Sequence, residues 1–468
     1  MAVLHFGVAI VASAHVILYK RDVRAAIGWT GLVWLAPFAG SLLYWLLGIN
    51  RIRRRAVRLE HPALVVREST RVYAAGAAGS SGEARLEPLV ELTARVTGNP
   101  LLSGNRVTAL DGGDVAYPAM LDAIASARRS ILFATYIFDH DRAGKLFLDA
   151  LAAAQARGVA VRVLIDGVGA RYSRPRMTRA LRRRGVGVAE FLATTLPIPN
   201  PYFNLRNHRK ILVVDGRRAF TGGMNIREGC LLRLEPPPRS PVRDLHFEIT
   251  GPVVAQIFEA GAFDWHFATG ESLDGPAWAI DAEPTGEVEA RVIAFGPDEN
   301  LETLGVVLHG ALATARSRVC VVTPYFLPDR VLIAALRLAA LRGVRVDVVL
   351  PERSNLRFVQ WAATAQLRQV LDDDCWVWLS PPPFDHTKIV VVDGEWSLVG
   401  SANWDARSLR LNFELDVECY DRPLAQELEA MVEERISTCR RLRHADLEAR
   451  PLAIQLRDGV ARLFTPYL

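Results

Sequence analysis

Arg206-Asn-His-Arg-Lys-Ile-Leu-Val-Val-Asp-Gly216 returns, lightly changed, as Phe384-Asp-His-Thr-Lys-Ile-Val-Val-Val-Asp-Gly394. His208 and His386 are 178 positions apart (386 − 208), and so are Lys210 and Lys388, Asp215 and Asp393, and Asn225 and Asn403. A constant offset over four polar positions marks a duplication. Upstream the match continues with looser spacing. Ser130-Ile-Leu-Phe-Ala-Thr-Tyr-Ile-Phe138 pairs with Ser317-Arg-Val-Cys-Val-Val-Thr-Pro-Tyr-Phe326, and the run from Gly158 to Asp166 pairs with that from Gly343 to Leu350.

Each copy reads as strand, helix, strand and strand hairpin. Short β-rich runs cover 131–138 and 319–326. Apolar residues recur at helical spacing over Leu146–Arg157 and Val331–Arg342, and both stretches end in Arg-Gly, a helix stop. The runs 159–165 and 344–350 are dense in Val, Ile and Leu, like buried parallel strands. The pattern predicts an α/β fold with a largely parallel sheet in each copy, the two copies packed as a pseudo-twofold pair with their motifs at the seam. The domains are expected at 106–280 and 281–468, after a connector over 61–105 whose stretch Ala74–Gly82 holds only Ala, Gly and Ser.

The chain has 468 residues, room for about two to four domains. Half of it is hydrophobic and 23% is charged, which excludes a disordered or low-complexity chain. The net charge of +5 is too small to imply nucleic acid but favours anionic partners, phospholipid surfaces among them. Five scattered Cys form no CxxC pair, which argues against a zinc ribbon or a disulfide scaffold.

The mean hydropathy of +0.13 is high for a soluble enzyme. Much of the apolar excess lies in residues 1–60. Val3–Tyr19 and Ile27–Ile49, 17 and 23 residues, carry no formal charge. Spanning a bilayer takes about 20 apolar helical residues. This predicts an N-terminal transmembrane hairpin, its first arm short enough to be re-entrant. Arg51, Arg53, Arg54, Arg55 and Arg58 follow it and put the rest of the chain on the cytoplasmic side. A signal peptide is excluded, because Met-Ala-Val-Leu-His lacks a basic residue and no small-residue cleavage site follows.

On a strand, residues two apart share a face, so each His-x-Lys pair points one way. Lys can hold a phosphate's charge, and His can attack phosphorus or move a proton. Asp215 and Asp393 lie seven positions on, before Gly, where an Asp-Gly hairpin turn is expected. They belong to the repeated catalytic motif, in the structural role of bonding that turn. The small stretches after each turn, Thr221-Gly-Gly-Met-Asn225 and Gly400-Ser-Ala-Asn403, let backbone N–H groups approach an anion. Asn225, Asn403 and Ser401 are phosphate-binding candidates. A catalytic His also needs an acceptor at its second nitrogen, for which Glu248 and Glu414 are the candidates. No metal and no cofactor is expected: Lys is no metal ligand at neutral pH, and there is no HExxH motif.

HxKxxxxD twice, with trailing Gly/Ser and Asn, resembles the phospholipase D superfamily. Pro37-Phe-Ala-Gly40, Tyr136-Ile-Phe138, Thr323-Pro-Tyr-Phe-Leu-Pro-Asp329 and Gly400-Ser-Ala-Asn-Trp-Asp-Ala-Arg-Ser408 narrow the resemblance to bacterial cardiolipin synthases. It covers nearly the whole chain. Ser401 has Gly223 opposite it in the first copy, so the half-sites differ. The resemblance implies phosphatidyl transfer between two phosphatidylglycerol molecules, giving cardiolipin and glycerol through a phosphatidyl-histidine, in a bacterial inner membrane. It suggests His208 as nucleophile and His386 as acid and base, an order that the symmetry of the motifs leaves open. Water and a lipid hydroxyl would meet the same intermediate, so the motif leaves a hydrolytic phospholipase D open too. A nuclease gains little from a membrane anchor, and no base-stacking aromatics or long basic groove are evident, so no nucleic acid is expected. The Arg-rich stretch 171–184 suits either solvent or anionic headgroups. The proline-rich loop 234–241 is expected beside the site. The oligomeric state is not legible.

Overall fold

The computed structural model describes residues 2–20, 23–48, 85–193, 205–296, 302–371 and 375–465. The arginine cluster at 51–58, the small-residue stretch 74–82 and positions 21–22 lie outside these. The chain divides into two units, Met1–Leu59 with Leu196–Asn204, and Glu60–Thr195 with Leu205–Leu468.

In the first unit the second apolar segment is not one helix. It runs as Val23–Leu35, Pro37–Leu43 and a π turn, Tyr44–Gly48. Pro37 lacks an N–H and its ring clashes with the carbonyl four residues back, so the first helix stops at Leu35. Thirteen residues rise about 20 Å, short of a ~30 Å hydrocarbon core. Among the described residues no helix is long and apolar enough to cross a membrane. The expected transmembrane hairpin is not supported: the described residues form a broken helical hairpin. The helix Ala2–Tyr19 packs on it through Ala9, Val16, Val33 and Tyr44, and His15 Nδ1 lies 2.8 Å from the Tyr44 hydroxyl.

The second unit holds both copies. Strands of the first are β1 (Leu102–Asp111), β2 (Ser130–Thr135), β3 (Ala160–Asp166), β4 (Gly187–Phe191), β5 (Arg206–Asn207), β6 (Ile211–Val214), β7 (Arg218–Gly222), β8 (Val242–Arg243) and β9 (Leu245–Thr250). Those of the second are β10 (Val288–Phe295), β11 (Arg318–Val322), β12 (Phe326–Leu327), β13 (Arg345–Pro351), β14 (Trp376–Ser380), β15 (Phe384–Asp385), β16 (Ile389–Val392), β17 (Trp396–Gly400), β18 (Trp404–Asp405), β19 (Asn412–Tyr420) and β20 (Arg440–Leu442).

One sheet runs β20-β14-β13-β11-β16-β17-β19-β10-β1-β9-β7-β6-β2-β3-β4. Apart from β20 at one edge, the order reads the same outward in both directions from the β10–β1 pair, so the duplication in sequence is a duplication in topology. Along this path only two pairings in each copy are parallel, β2–β3 and β3–β4, and β11–β13 and β13–β14; off it, β12 and β18 also pair in parallel. The others along this path are antiparallel, which corrects the expected largely parallel sheet. A tight Asp-Gly hairpin can join only antiparallel strands, and two strands on from it the sheet is committed to that sense.

The crossover helices are Arg142–Ala156 and Arg330–Leu341. Asp141 and Asp329 cap them, each accepting at 2.9 Å from an N–H in the first turn. Gly158 and Gly343 end them at φ 90° and 86°, a conformation L side chains avoid. The first pairs one face of its sheet with Ile131, Phe133, Val161, Val163 and Leu212 in a single core. The second does the same with Val319, Val321, Val346, Val348 and Val390.

The connector ends earlier than expected. Glu87–Thr97 is a helix, and Leu86 and Leu89 are buried in the core of the second copy. Arg291, wholly buried on β10, donates to Glu418 at 2.6 Å and to the helix carbonyl of Val90 at 3.0 Å. Residues ahead of the first copy thus complete the second.

Candidate active site

His208 and Lys210 follow β5, and His386 and Lys388 follow β15, each pair just ahead of the strand that the Asp-Gly turn reverses. The expected His-x-Lys strand is therefore a short irregular link between two strands. It is held crosswise. β5 of the first copy pairs with β19 of the second, and the His208 N–H donates to the Phe413 carbonyl at 2.9 Å. β15 of the second pairs with β8 of the first, and the His386 N–H donates to the Arg243 carbonyl at 2.7 Å.

The imidazoles follow the same exchange. His208 Nδ1 is 2.9 Å from Glu414 Oε2, and His386 Nδ1 is 2.7 Å from Asp244 Oδ2. Each copy's histidine is thus oriented by the other copy's carboxylate. All four groups are buried. A proton on each Nδ1, donated to the carboxylate, leaves the Nε2 lone pair for the cleft.

Glu248 is not the acceptor at His386. It is bonded to Arg218 Nε at 2.5 Å on β9. The register gives the reason. The Gly223 N–H donates to the Leu245 carbonyl as the Ser401 N–H does to that of Leu415, so Asp244 matches Glu414, at an offset of 170 (414 − 244). The loop carrying Pro236–Pro238 makes the first copy 8 residues longer (178 − 170), and the constant offset breaks there. Sequence reasoning had a signal in that loop but took the carboxylate four residues too late.

Ser401 serves the carboxylate: its hydroxyl donates to Glu414 Oε2 at 2.6 Å. Gly223 stands opposite because Asp is shorter than Glu. A Cβ at 223 would lie 2.2 Å from Asp244 Oδ1.

Asn225 Oδ1 accepts from the Ile137 N–H at 3.0 Å, and Asn403 Nδ2 donates to Ser408 Oγ at 3.1 Å. Both line the cleft that contains the two histidines. Lys210 Nζ and Lys388 Nζ donate to the carbonyls of their own histidines, and Lys388 Nζ also lies 2.9 Å from His386 Nδ1. Tyr136 packs edge-on against His208, ring centres 5.2 Å apart, and Tyr325 against His386 at 6.4 Å.

Asp215 and Asp393 do not line this cleft. They sit in the turns at φ 54° and 55°. Asp215 accepts from the N–H groups of Arg128, Arg129 and Ser130 at 2.7–2.9 Å. Asp393 does the same for Arg316, Ser317 and Arg318. They lock the start of β2 and β11 to the hairpin.

Arg209 is a component that sequence reasoning passed over. Wholly within the protein, it donates to Asp264 at 2.7 Å and to the carbonyls of Glu414 at 3.0 Å and Phe295 at 3.2 Å, tying the first motif to two strands of the second copy. Thr387 occupies the matching position.

Burial pulls His208 below its ordinary value and His386 to about 4. It pulls Lys210 to about 7 and Lys388 to about 8, against the attraction of Glu414 and Asp244. Burial pushes both carboxyls up, but the facing charges (Lys388 and His386 on Asp244, His208 and Lys210 on Glu414) outweigh it and hold them below the usual range.

The cleft has a volume of about 1060 Å³. Arg206, Arg227, Arg353, Arg357 and Arg407 bring cationic groups to its wall, and Leu356, Phe358, Val359 and Phe384 an apolar side. Ser240 and Pro241 of the proline-rich loop line it too. The arginines at 174–184 are instead exposed, Arg179, Arg182 and Arg183 on the short helix Met177–Arg183 and the others flanking it. Among the described residues no group of three or more His, Cys, Asp or Glu could hold a metal ion.

Comparison with known proteins places this geometry. A family model described as cardiolipin synthase, PLD-like domain, matches residues 120–235 and 308–436, and one for a phospholipase D-nuclease N-terminal region matches 7–48. Cardiolipin synthase A of Pseudomonas fluorescens strain SBW25 is 34% identical over 477 residues, covering 100% of this chain and 98% of its own. That of Pseudomonas aeruginosa strain PAO1 is 35% identical over 471 residues, covering 98% and 94%. The crystal structure of phosphatidylserine synthase from Haemophilus influenzae Rd KW20 shares the fold, with a TM-score of 0.62 at 17% identity over 82% of this chain and 100% of that one. With two His-Lys motifs meeting in one cleft and full-length relatives above 30% identity, the chain belongs to the cardiolipin synthases of the phospholipase D superfamily.

Proposed function

We propose that the chain makes cardiolipin from two phosphatidylglycerols by double displacement at phosphorus, with His208 as nucleophile and His386 as proton carrier. The crosswise carboxylate–histidine pairs carry this reading: each leaves an Nε2 lone pair facing the same cleft. His208 Nε2 attacks the phosphodiester, and the phosphorus–oxygen bond to the glycerol headgroup breaks. The departing oxygen takes a proton from the His386 imidazolium, which Asp244 stabilises. The bound phosphate's negative charge raises His386 enough to carry that proton. A hydroxyl of the second phosphatidylglycerol then returns its proton to His386, attacks phosphorus and breaks the phosphorus–nitrogen bond. Lys210, Lys388, Asn225 and Asn403 hold the charge on the phosphoryl oxygens in both steps. The apolar wall of the cleft supports transfer over hydrolysis, since it disfavours water in the second step.

The substrate is a bilayer lipid, and the first unit suits that. Ile10, Val11, Ile17, Leu18 and Leu35 point their side chains outward, each more than half exposed. A broken hairpin with this surface seats in one leaflet, and Arg51–Arg58 favour the anionic cytoplasmic leaflet of the inner membrane.

The test is purified full-length protein in mixed micelles with phosphatidylglycerol alone and a chelator, beside His208→Ala and His386→Ala. Cardiolipin and glycerol are expected from the parent only. Quenching in neutral denaturant during turnover, which spares a phosphorus–nitrogen bond, should trap lipid phosphorus on the parent at position 208 and not at 386, and none on His208→Ala. The reverse pattern would exchange the two roles, and phosphatidic acid in place of cardiolipin would make the chain a hydrolase.

A further inference from the structure

The helix Leu452–Arg462 turns its apolar stripe outward. Asp458 and Ala461 face inward and are buried. Asp458 is engaged there, accepting from Arg450 at 2.5 Å and Arg457 at 2.8 Å. Leu452, Leu456 and Val460 fall four apart on the opposite side and are 70%, 61% and 56% exposed. Leu463 extends the stripe at 73%. A surface helix ordinarily turns such a stripe to the core.

The stripe runs on to the catalytic cleft. Phe464 packs edge-on against Phe358 with ring centres 5.6 Å apart. Phe358 and Leu356 both line the cleft and are themselves 40% and 49% exposed. The exposed charges of the helix are both cationic, Arg457 and Arg462, and Arg457 stacks on Trp361 at 4.2 Å. Apolar surface flanked by arginine, continuous with the rim of a cleft, matches one occupant. Another protein, or a second copy of this chain, would bury the stripe but would also cap the rim through which substrate enters.

We propose that the outward face of Leu452–Arg462, with Leu356 and Phe358, docks on an anionic phospholipid surface and sets the mouth of the cleft against the lipid it consumes. The proposal rests on the phosphatidyl-transfer reading for its purpose, though not for its readout. Apolar side chains enter the acyl boundary while arginines meet the phosphates, as in interfacial helices.

The experiment places a bimane on Val460→Cys in the full-length protein. Phosphatidylglycerol vesicles should shift its emission to the blue and expose it to a lipid-phase nitroxide quencher, and phosphatidylcholine vesicles should do so less. An unchanged emission on phosphatidylglycerol overturns the proposal. So does a blue shift that grows with protein concentration without vesicles, which means a second copy. In parallel, Leu456→Glu/Val460→Glu should turn over vesicle phosphatidylglycerol at least roughly tenfold more slowly while matching the parent on a monomeric short-chain analogue. Parent-like rates on vesicles also overturn it. A parent that consumes neither substrate defeats the transfer reading, and the bimane signal still decides the docking.

Discussion

The acceptor at each imidazole sets what the site can do. An Asp244→Asn side chain fits the same space but offers its N–H where the ring needs an acceptor, which favours the wrong tautomer. We expect kcat to fall by about 10³–10⁴ with KM little changed, as in serine proteases whose buried Asp is so replaced. Glu248→Gln should stay within about threefold of the parent, because that carboxylate serves Arg218. Steady-state kinetics on both variants decide between the two acids, and an unaffected Asp244→Asn would remove Asp244 from the chemistry. Ser401→Ala removes one bond to Glu414 and should cost roughly tenfold, about 1.5 kcal/mol. The His and Lys residues were legible because duplication held them at one offset. The acid of the first copy was not, because the longer loop shifted the frame between Asn225 and Asp244.

At the scale of elements, the turn aspartates separate folding from chemistry. Asp215 gives three N–H groups at the start of β2 their acceptor and sits at a positive φ that Asn tolerates. Asp215→Asn should lower Tm by several degrees and leave kcat per folded molecule within about threefold. A loss matching His208→Ala would assign Asp215 to the reaction. Arg209→Met should cost more, about 3–5 kcal/mol of stability, because it removes the guanidinium that faces the buried Asp264 carboxylate. Thermal unfolding beside the parent reads both. Helices and buried strands were legible from apolar spacing, and the observed crossover helix Arg330–Leu341 sits one residue from the expected 331–342. The helix Glu87–Thr97 was missed because the small-residue run before it reads as linker, while its stability comes from a distant core. The transmembrane reading is left unsupported because it counted charges and not Pro37, which interrupts the continuously apolar segment.

The whole molecule exists to bury charge at a seam. Neither copy alone completes its half of the site, since each lends a carboxylate and a strand to the other. The price of that burial is paid in proton affinity, and it fixes a pH profile. In the free enzyme His208 must be neutral to attack. Its pKa lies below the ordinary 6.5, so protonation of His208 should not lower kcat/KM as pH falls through 6.5, and the growing share of protonated His386 can only raise it there. The lysines must be charged to hold phosphate. With Lys210 near 7 and Lys388 near 8, they lose protons on the alkaline side well before an ordinary lysine would, and kcat/KM should decline from pH 7 to 8 upward. A bound phosphodiester adds negative charge beside both ammonium groups and raises their pKa values. The alkaline limb of kcat, which reports the complex, should therefore lie above that of kcat/KM. Initial rates on monomeric short-chain phosphatidylglycerol from pH 5 to 10 test this without involving a lipid surface. A kcat/KM flat to pH 9.5 would mean that the lysines keep their protons, and that the seam is far better hydrated than its burial implies.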